Sequence, residues 1–518
     1  MRTFEKHQIL KNVGSSWFAL GVNVAVGILL SPFILHHLGD EAFGLWILIF
    51  SLTGYYGLFD LGIRSSIVRY VAKYGATNEQ EELNRLVSTA MFSYGGVAVA
   101  AITATLIATY YVNSIFRIPG GSIATARWLL LMVGLSVSFG FPLGVFGGIL
   151  EGLQRFYLLN LTSVSSTVAR ALLIVVALRH GRGLLTIAFI TVCFPLVNQL
   201  VNAVAVFRLL PMRLSLQYVN RSTLRTIASY SGTTFLIIVA NRLRFKTDAM
   251  VIGTFVSAAA ITYFTIGSRL VDYASEVVSS LAQIFVPMSS QSHAKGDMDG
   301  LRKMLVLGNR ACASIIFPMA AILTILGKSV IEVWVGPKYI ATSYPVLLVL
   351  LYPTTLMLAQ HSSGRILWGM AKHHTWGWVA LSEGTANLIL SVLLVCPYGI
   401  LGDAIGTAIP LTCSMIFFLP QHLCRLVGIK LRTYLYQAFS LPVAMCVPVI
   451  AVLLLMRRWF IPHRLSALLV QLAIVVAVYG GCLSWAFFTR RAWNVGNLNQ
   501  NKEDEVTRAL VNSYQEEA

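Results

Sequence analysis

Residues 14–39 read "GSSWFALGVNVAVGILLSPFILHHLG", and residues 232–257 read "GTTFLIIVANRLRFKTDAMVIGTFVS". The first stretch contains no Asp, Glu, Lys or Arg. About 20 such residues, rising 1.5 Å each, cross the roughly 30 Å hydrocarbon core of a bilayer. It therefore reads as a membrane span. Laid over it without a gap, the second stretch pairs Gly14 with Gly232, Ser15 and Ser16 with Thr233 and Thr234, Trp17 with Phe235, and Asn23 with Asn241. Where the first has Val24, Val26, Ile28 and Leu30, the second has Arg242, Arg244, Lys246 and Asp248. One charge at mid-bilayer costs roughly 2.5–3.5 kcal/mol on insertion scales, so these four need a reason to be there.

Working outward, apolar runs of similar length recur through nearly all 518 residues, of which 56% are apolar and 12% charged. Mean hydropathy is +0.72. A soluble globular chain carries about a quarter charged residues. The expected fold is an all-α polytopic membrane protein of about fourteen transmembrane helices. The predicted spans lie near 13–37, 42–62, 86–112, 126–150, 156–178, 184–207, 227–255, 258–285, 309–327, 341–363, 376–397, 401–421, 434–456 and 466–489. The first run is too long for a signal-peptide core and is expected to remain as a span.

Numbering the loops alternately sorts the 39 Lys and Arg. Twenty-five fall on the side of the N-terminal segment and the polar tail, and nine on the other. Positive charge accumulates on the cytoplasmic side, which places both termini in the cytoplasm, in a multi-pass protein of the bacterial inner membrane. The net charge of +18 is then mostly topological, and no nucleic-acid partner is expected. The seven cysteines are scattered singly with no Cys/His cluster, so no metal, cofactor or disulfide framework is expected. The connections are short, and no nucleophile–base arrangement stands out, so the chain is expected not to be an enzyme.

The duplication has a second match at nearly the same offset. "GILEGLQRF" from Gly148 meets "RILWGMAKH" from Arg365, pairing Gly152 with Gly369 and Arg155 with Lys372. The expected organisation is an N-lobe over residues 1–215 holding spans one to six and a C-lobe over 216–430 holding spans seven to twelve. Spans thirteen and fourteen occupy 431–491, and a cytoplasmic polar tail occupies 492–518. Transporters built from such repeats bind substrate between them near mid-membrane.

Only five cations sit well inside spans: Arg170, Arg242, Arg244, Lys246 and Arg269. On an unbroken helix Arg242 and Lys246 share one face, and Arg244 and Asp248 another. The expectation is that Arg244 and Asp248 neutralise each other while Arg242 and Lys246 line a wet lumen. Arg269 has Asp272 and Glu276 along its own helix, and Arg170 has no acid nearby in sequence. At the end of span two, Asp60 and Arg64 stand at i,i+4 as a helix-end ion pair or a gate. A surplus of cations suits an anionic ligand, and arginine is fitted to phosphate oxygens. Arg242, Lys246, Arg269 and Arg170 are thus candidate substrate contacts. Arg244, Asp248, Asp60, Arg64 and Asp272 are candidate gating or ion-pair residues. The competing reading makes all of them ion pairs that fix helix packing.

"FGLWILIFSLTGYYGLFDLGIRSSIVRYVAKY" (43–74), "GILEGLQRFYLLN" (148–160) and "TDAMVIGTFVSAAAITYFTIGSRL" (247–270) together resemble the polysaccharide-transport, Wzx-type branch of the multidrug/oligosaccharidyl-lipid/polysaccharide flippase superfamily. The resemblance extends over spans one to twelve. It implies two six-helix lobes around a central cavity that opens alternately to each side. It also implies undecaprenyl-diphosphate-linked oligosaccharide as substrate, moved from the cytoplasmic to the outer leaflet. Asp60 and Gly62 match the family's Asp-Leu-Gly, Gln154 and Arg155 its Gln-Arg, and Asp248, Gly253 and Arg269 its positions on spans seven and eight. Arg242 and Arg244 have no counterpart in that pattern.

The function expected is therefore flipping of a polyprenyl-diphosphate-linked oligosaccharide for cell-surface polysaccharide synthesis. The partners are that glycolipid, membrane lipids and the polysaccharide polymerase machinery. A multidrug or small-solute antiporter of the same fold is the first alternative, although an organic-cation exporter would want acids where this chain has arginines. A membrane glycosyltransferase or ligase would need a large exoplasmic loop, and a scaffold protein would use its buried cations only structurally.

Overall fold

The computed structural model of the chain describes residues 2–77, 79–372, 374–459, 462–489, 491 and 495. The polar tail expected over 492–518 lies outside these, Val495 excepted. Among the described residues α-helices run in the order α1 (Arg2–Gly54), α2 (Ile63–Thr77), α3 (Gln80–Ile115), α4 (Ile123–Gly152), α5 (Phe156–Arg179), α6 (Leu184–Leu209), α7 (Arg221–Phe245), α8 (Asp248–Phe255) and α9 (Ala258–Ala282). They continue as α10 (Phe285–Ala294), α11 (Met298–Val335), α12 (Ile340–Ala359), α13 (His361–Gly369), α14 (His374–Cys413), α15 (Leu419–Val427), α16 (Leu431–Trp459) and α17 (Leu465–Phe488). Helices are what lipid permits, because no water is there to satisfy an open backbone.

Among the described residues, ten helical stretches are long and apolar enough to span a membrane. Two are far too long for one crossing, Gly14–Asp60 with 47 residues and His374–Val427 with 54. Straight, they would reach about 70–80 Å. Each is broken at a glycine in a conformation that side chains disfavour, Gly39 (φ 80, ψ 171) and Gly399 (φ 58, ψ −141). At Gly399 the chain folds back. The Ser391 hydroxyl donates to the Asp403 carbonyl at 3.2 Å, across positions that an unbroken helix would hold about 18 Å apart. The membrane-protein fold is thus established with ten spanning stretches. The expected count of fourteen is not.

The chain packs into two compact units, Met1–Tyr263 with Ala380–Asp403, and Phe264–Val379 with Ala404–Ala518. In the first, α4 packs on α2, α3 and α6, and α5 on α1 and α6. Ile67, Val71, Leu86, Val87, Ile149 and Leu150 form its buried centre. In the second, α11 packs on α12, α13 and α16, and α10 on α11 and α13. Its core includes Leu301, Leu305, Ile366 and Leu367, with α17 held on α16 around Val449, Leu453 and Val475.

The sequence repeat reappears as repeated geometry. A Cβ on Gly152 would lie 2.8 Å from the Val68 carbonyl oxygen, and a Cβ on Gly369 would lie 2.5 Å from that of Val286. Each glycine lets one helix (α4, α13) touch the backbone of another (α2, α10). Two residues later Gln154 (φ 56) and Ala371 (φ 57) adopt the same left-handed conformation. The Arg155 amide then donates to Leu150, and the Lys372 amide to Leu367, at 2.9 and 3.0 Å. Gly181 and Gly399, both at positive φ, stand at the same offset again. The compact units follow packing rather than ancestry, since the first also takes in Ala380–Asp403.

Candidate functional site

The charged stretch from Arg242 to Asp248 lies wholly in the first unit, and its helix is broken. α7 ends at Phe245, Lys246 leaves helical geometry (φ −129, ψ 1), and α8 starts at Asp248. A break between two helices exposes carbonyls that other groups must satisfy. Arg242's carbonyl accepts from the Lys246 amide at 3.0 Å and the Tyr55 hydroxyl at 3.3 Å. Leu243's accepts from the Thr247 hydroxyl at 2.7 Å. Arg244's accepts from Asn387 Nδ2 at 3.1 Å. With its proton given to Leu243, Thr247 accepts from Tyr55 at 2.6 Å. Arg242 and Arg244 thus sit in the last turn of one helix and Asp248 in the first turn of the next, each where the helix dipole favours its charge.

Because the helix is interrupted, the i,i+4 faces expected for it do not form. Arg244 is buried, and its ion-pair partner is Glu383 on α14, with Nε and Oε1 2.6 Å apart and the side chains 6% and 3% exposed. Arg242 is half-buried and has no carboxylate partner among the described residues. Its Nη2 lies where a Cβ on Gly57 would come within 2.6 Å, so the 3-10 turn Tyr55–Asp60 seats the guanidinium by lacking a side chain. Lys246 is exposed, and Phe245 beside it lies under the Arg244 guanidinium, 4.9 Å from ring centre to Cζ.

Arg170, half-buried on α5, has no hydrogen-bond or ion-pair partner among the described residues. One turn earlier on that helix Thr167 donates to Asn23 of α1 at 3.0 Å. Arg269 and Asp272 are on the part of α9 that belongs to the second unit, Arg269 half-buried and Asp272 exposed. The first unit thus gathers Arg170, Arg242, Arg244, Lys246 and Asp248.

The pair expected between Asp60 and Arg64 is not formed. Asp60 ends a 3-10 turn, and Leu61 (φ 49) and Gly62 (φ 78) are left-handed, so the helical spacing is lost. Asp60 accepts instead from the Tyr94 hydroxyl, and Arg64 Nη2 pairs with Glu151 Oε2 of α4 at 3.2 Å. Tyr55 and Asn387, which stabilise the break, carry no local signal in sequence, because each acts on a segment remote from its own. Asp403 is fully buried at the fold-back of α14, and neither carboxylate oxygen has a hydrogen-bond partner among the described residues.

Helical stretches of membrane length, an internal repeat and a broken cationic helix together describe a polytopic membrane protein. The chain belongs to the family described as "Polysaccharide biosynthesis protein", matched over residues 9–293, which bears out the polysaccharide-transport resemblance. It is 22% identical over 447 residues to "Uncharacterized membrane protein EpsK" of Bacillus subtilis (strain 168), covering 82% of this chain and 85% of that one. It is 20% identical over 410 residues to the "Putative O-antigen transporter" of Shigella flexneri, covering 77% and 94%. Among solved structures, "Lipid II flippase MurJ, inward closed conformation" superposes with a TM-score of 0.68 at 16% identity, covering 94% of this chain and all of that one. An inward-facing multidrug resistance MATE transporter of the MOP superfamily superposes at 0.65 with 15% identity, covering 79% and 94%.

Proposed function

We propose that this chain is a flippase that carries polyprenyl-diphosphate-linked oligosaccharide from the cytoplasmic to the outer leaflet by alternating access. The observation that carries the reading is the cation surplus of the first unit. Arg244 is neutralised by Glu383, whereas Arg242 and Arg170 have no acid partner among the described residues. Such charges at membrane depth mark substrate or ion pathways, and unneutralised arginines suit a diphosphate. Family membership, the name of the Shigella flexneri relative and a relative in Haloferax volcanii named "Probable flippase AglR" support a lipid-linked glycan as cargo.

In this reading Arg242, Lys246, Arg170 and Arg269 meet the diphosphate in turn, and the undecaprenyl tail stays in lipid. Residues 1–215 and 216–430 form the two repeat-related lobes, with 431–491 appended. The chain resides in the bacterial inner membrane with both termini in the cytoplasm. It hands its cargo to polymerase machinery and catalyses no bond chemistry itself.

The test is translocation of a fluorescent undecaprenyl-diphosphate sugar in proteoliposomes, wild type beside Arg242→Gln/Lys246→Gln. Loss of transport in a well-folded double variant supports function and site together. Equal transport refutes the site. Export of soluble cations with no glycolipid transport would establish the antiporter instead.

A further inference from the structure

The first unit also contains a cavity of about 330 Å³ among α1, α2, α3, α4 and α6, with no lining residue on α7 or α8. Its polar lining includes Asp60, Arg64, Tyr94, Thr191 and Gln199, and Phe50 and Phe141 stand among its apolar walls. Two of these polar groups are unspent. Thr191 is 8% exposed, and among the described residues neither its hydroxyl nor the buried Gln199 Oε1 has a hydrogen-bond partner. Asp60 has already accepted from Tyr94, which leaves its other oxygen to accept as well. Buried polar groups are normally satisfied, so this lining calls for a ligand that donates.

The internal repeat supplies an independent control. At the offset that pairs Gly14 with Gly232, Asp60, Arg64 and Tyr94 correspond to Val278, Ala282 and Cys312. Those three are fully buried in one apolar core of the second unit. The fold therefore closes without a polar cavity here, and one half of the repeat has acquired one.

Size and chemistry choose the occupant. The volume is about eleven times the ~30 Å³ share of a water molecule, too large for one bare ion. It sits at the small end of the roughly 300–1,000 Å³ range of small-ligand pockets. Carboxylate, guanidinium, amide and hydroxyl groups beside the stacked rings of Tyr94 and Phe141 (centroids 6.0 Å apart) match a compact ligand rich in hydroxyls with an apolar ring face. We propose that this cavity is a sugar subsite that takes one monosaccharide ring of the lipid-linked glycan, separate from the cationic diphosphate contacts. The proposal rests on the flippase reading.

Gly144 lines the cavity and has open space where a Cβ would go. Gly144→Leu therefore starts from an open Cβ position and takes up cavity space, and it replaces a glycine inside a helix. Thr191→Val/Gln199→Leu removes the unspent acceptors at nearly constant volume. The probes are bare undecaprenyl diphosphate and the same lipid carrying glucose, galactose, N-acetylglucosamine or N-acetylgalactosamine, with binding measured on the full chain in lipid nanodiscs. The expected result is that at least one sugar strengthens binding tenfold or more in the wild type. Both variants should lose that gain and keep wild-type affinity for the bare lipid. A wild type that binds all five lipids equally, or a Gly144→Leu variant that keeps the preference, overturns the subsite while leaving the flippase reading intact. Equal losses for bare and sugar-bearing lipid in the variants also overturn it. A wild type that binds none of the five overturns both readings.

Discussion

Arg244 and Glu383 form an ion pair with 2.6 Å between Nε and Oε1, and both side chains are almost wholly buried. The pair joins the end of α7 to α14 inside one unit. Removing one member strands a charge in a medium that cannot solvate it, at a cost of about 3–5 kcal/mol, whereas replacing both by apolar groups is often neutral. Arg244→Met and Glu383→Leu should each lower the melting temperature in detergent and the yield of folded protein. The double variant should recover most of the loss. A double variant no better than the worse single one would show that the pair does not hold these helices.

Arg242 rests on a surface that exists because residue 57 has no side chain. Gly57→Ala would bring a Cβ within 2.6 Å of Nη2. The tip of a long side chain can swing away, so stability should stay within about 0.5 kcal/mol of wild type. Transport should fall as far as in Arg242→Gln, because a hydrogen bond from the guanidinium to a charged diphosphate is worth about 1.5–3 kcal/mol, roughly 10- to 150-fold in affinity. Unchanged transport in Gly57→Ala would remove Arg242 from the site.

Hydropathy points to the ten long apolar stretches found among the described residues, because lipid dictates helix wherever an apolar run is long enough, whereas the spans expected over 227–255 and 258–285 are not among those ten. The offset even anticipates that Gly152 and Gly369 make the same close approach. Partner choice was not legible. The i,i+4 rule applied to Arg244 and Asp248 presumes a continuous helix, and "FKTD" (245–248) has neither Gly nor Pro to announce a break. That break is held by Tyr55 and Asn387, which no local window contains. At Asp60 the following Gly62 was a signal, but the left-handed turn already begins at Leu61. It turns Asp60 toward Tyr94 rather than Arg64.

The break itself can be weighed. Asn387 gives its amide to the Arg244 carbonyl and accepts from Ser391 at 3.0 Å. Asn387→Leu leaves a carbonyl of α7 without that donor in a buried place, at a cost of about 1–3 kcal/mol. Tyr55→Phe, losing a donor shared between Thr247 and Arg242, should cost about 1 kcal/mol. Thermal melts of both variants check this. If Asn387→Leu is as stable as wild type, α7 and α8 can rejoin without help, and the interruption is not fixed by these side chains.

Asp403 sits fully buried at the fold-back of α14, with both carboxylate oxygens lacking a hydrogen bond among the described residues. An ionisable side chain held this way is costly and is a functional candidate by default. Asp403→Asn keeps the shape and removes the ionisable group. It should raise the melting temperature, since an uncompensated buried charge is the more expensive state. It should also abolish any acceleration of glycolipid transport by an imposed proton or sodium gradient, while downhill exchange between leaflets persists. The two readouts separate the roles: higher stability with gradient response intact would make Asp403 a structural burden only. Lower stability would mean that the carboxylate has a partner in the membrane that holds it in place.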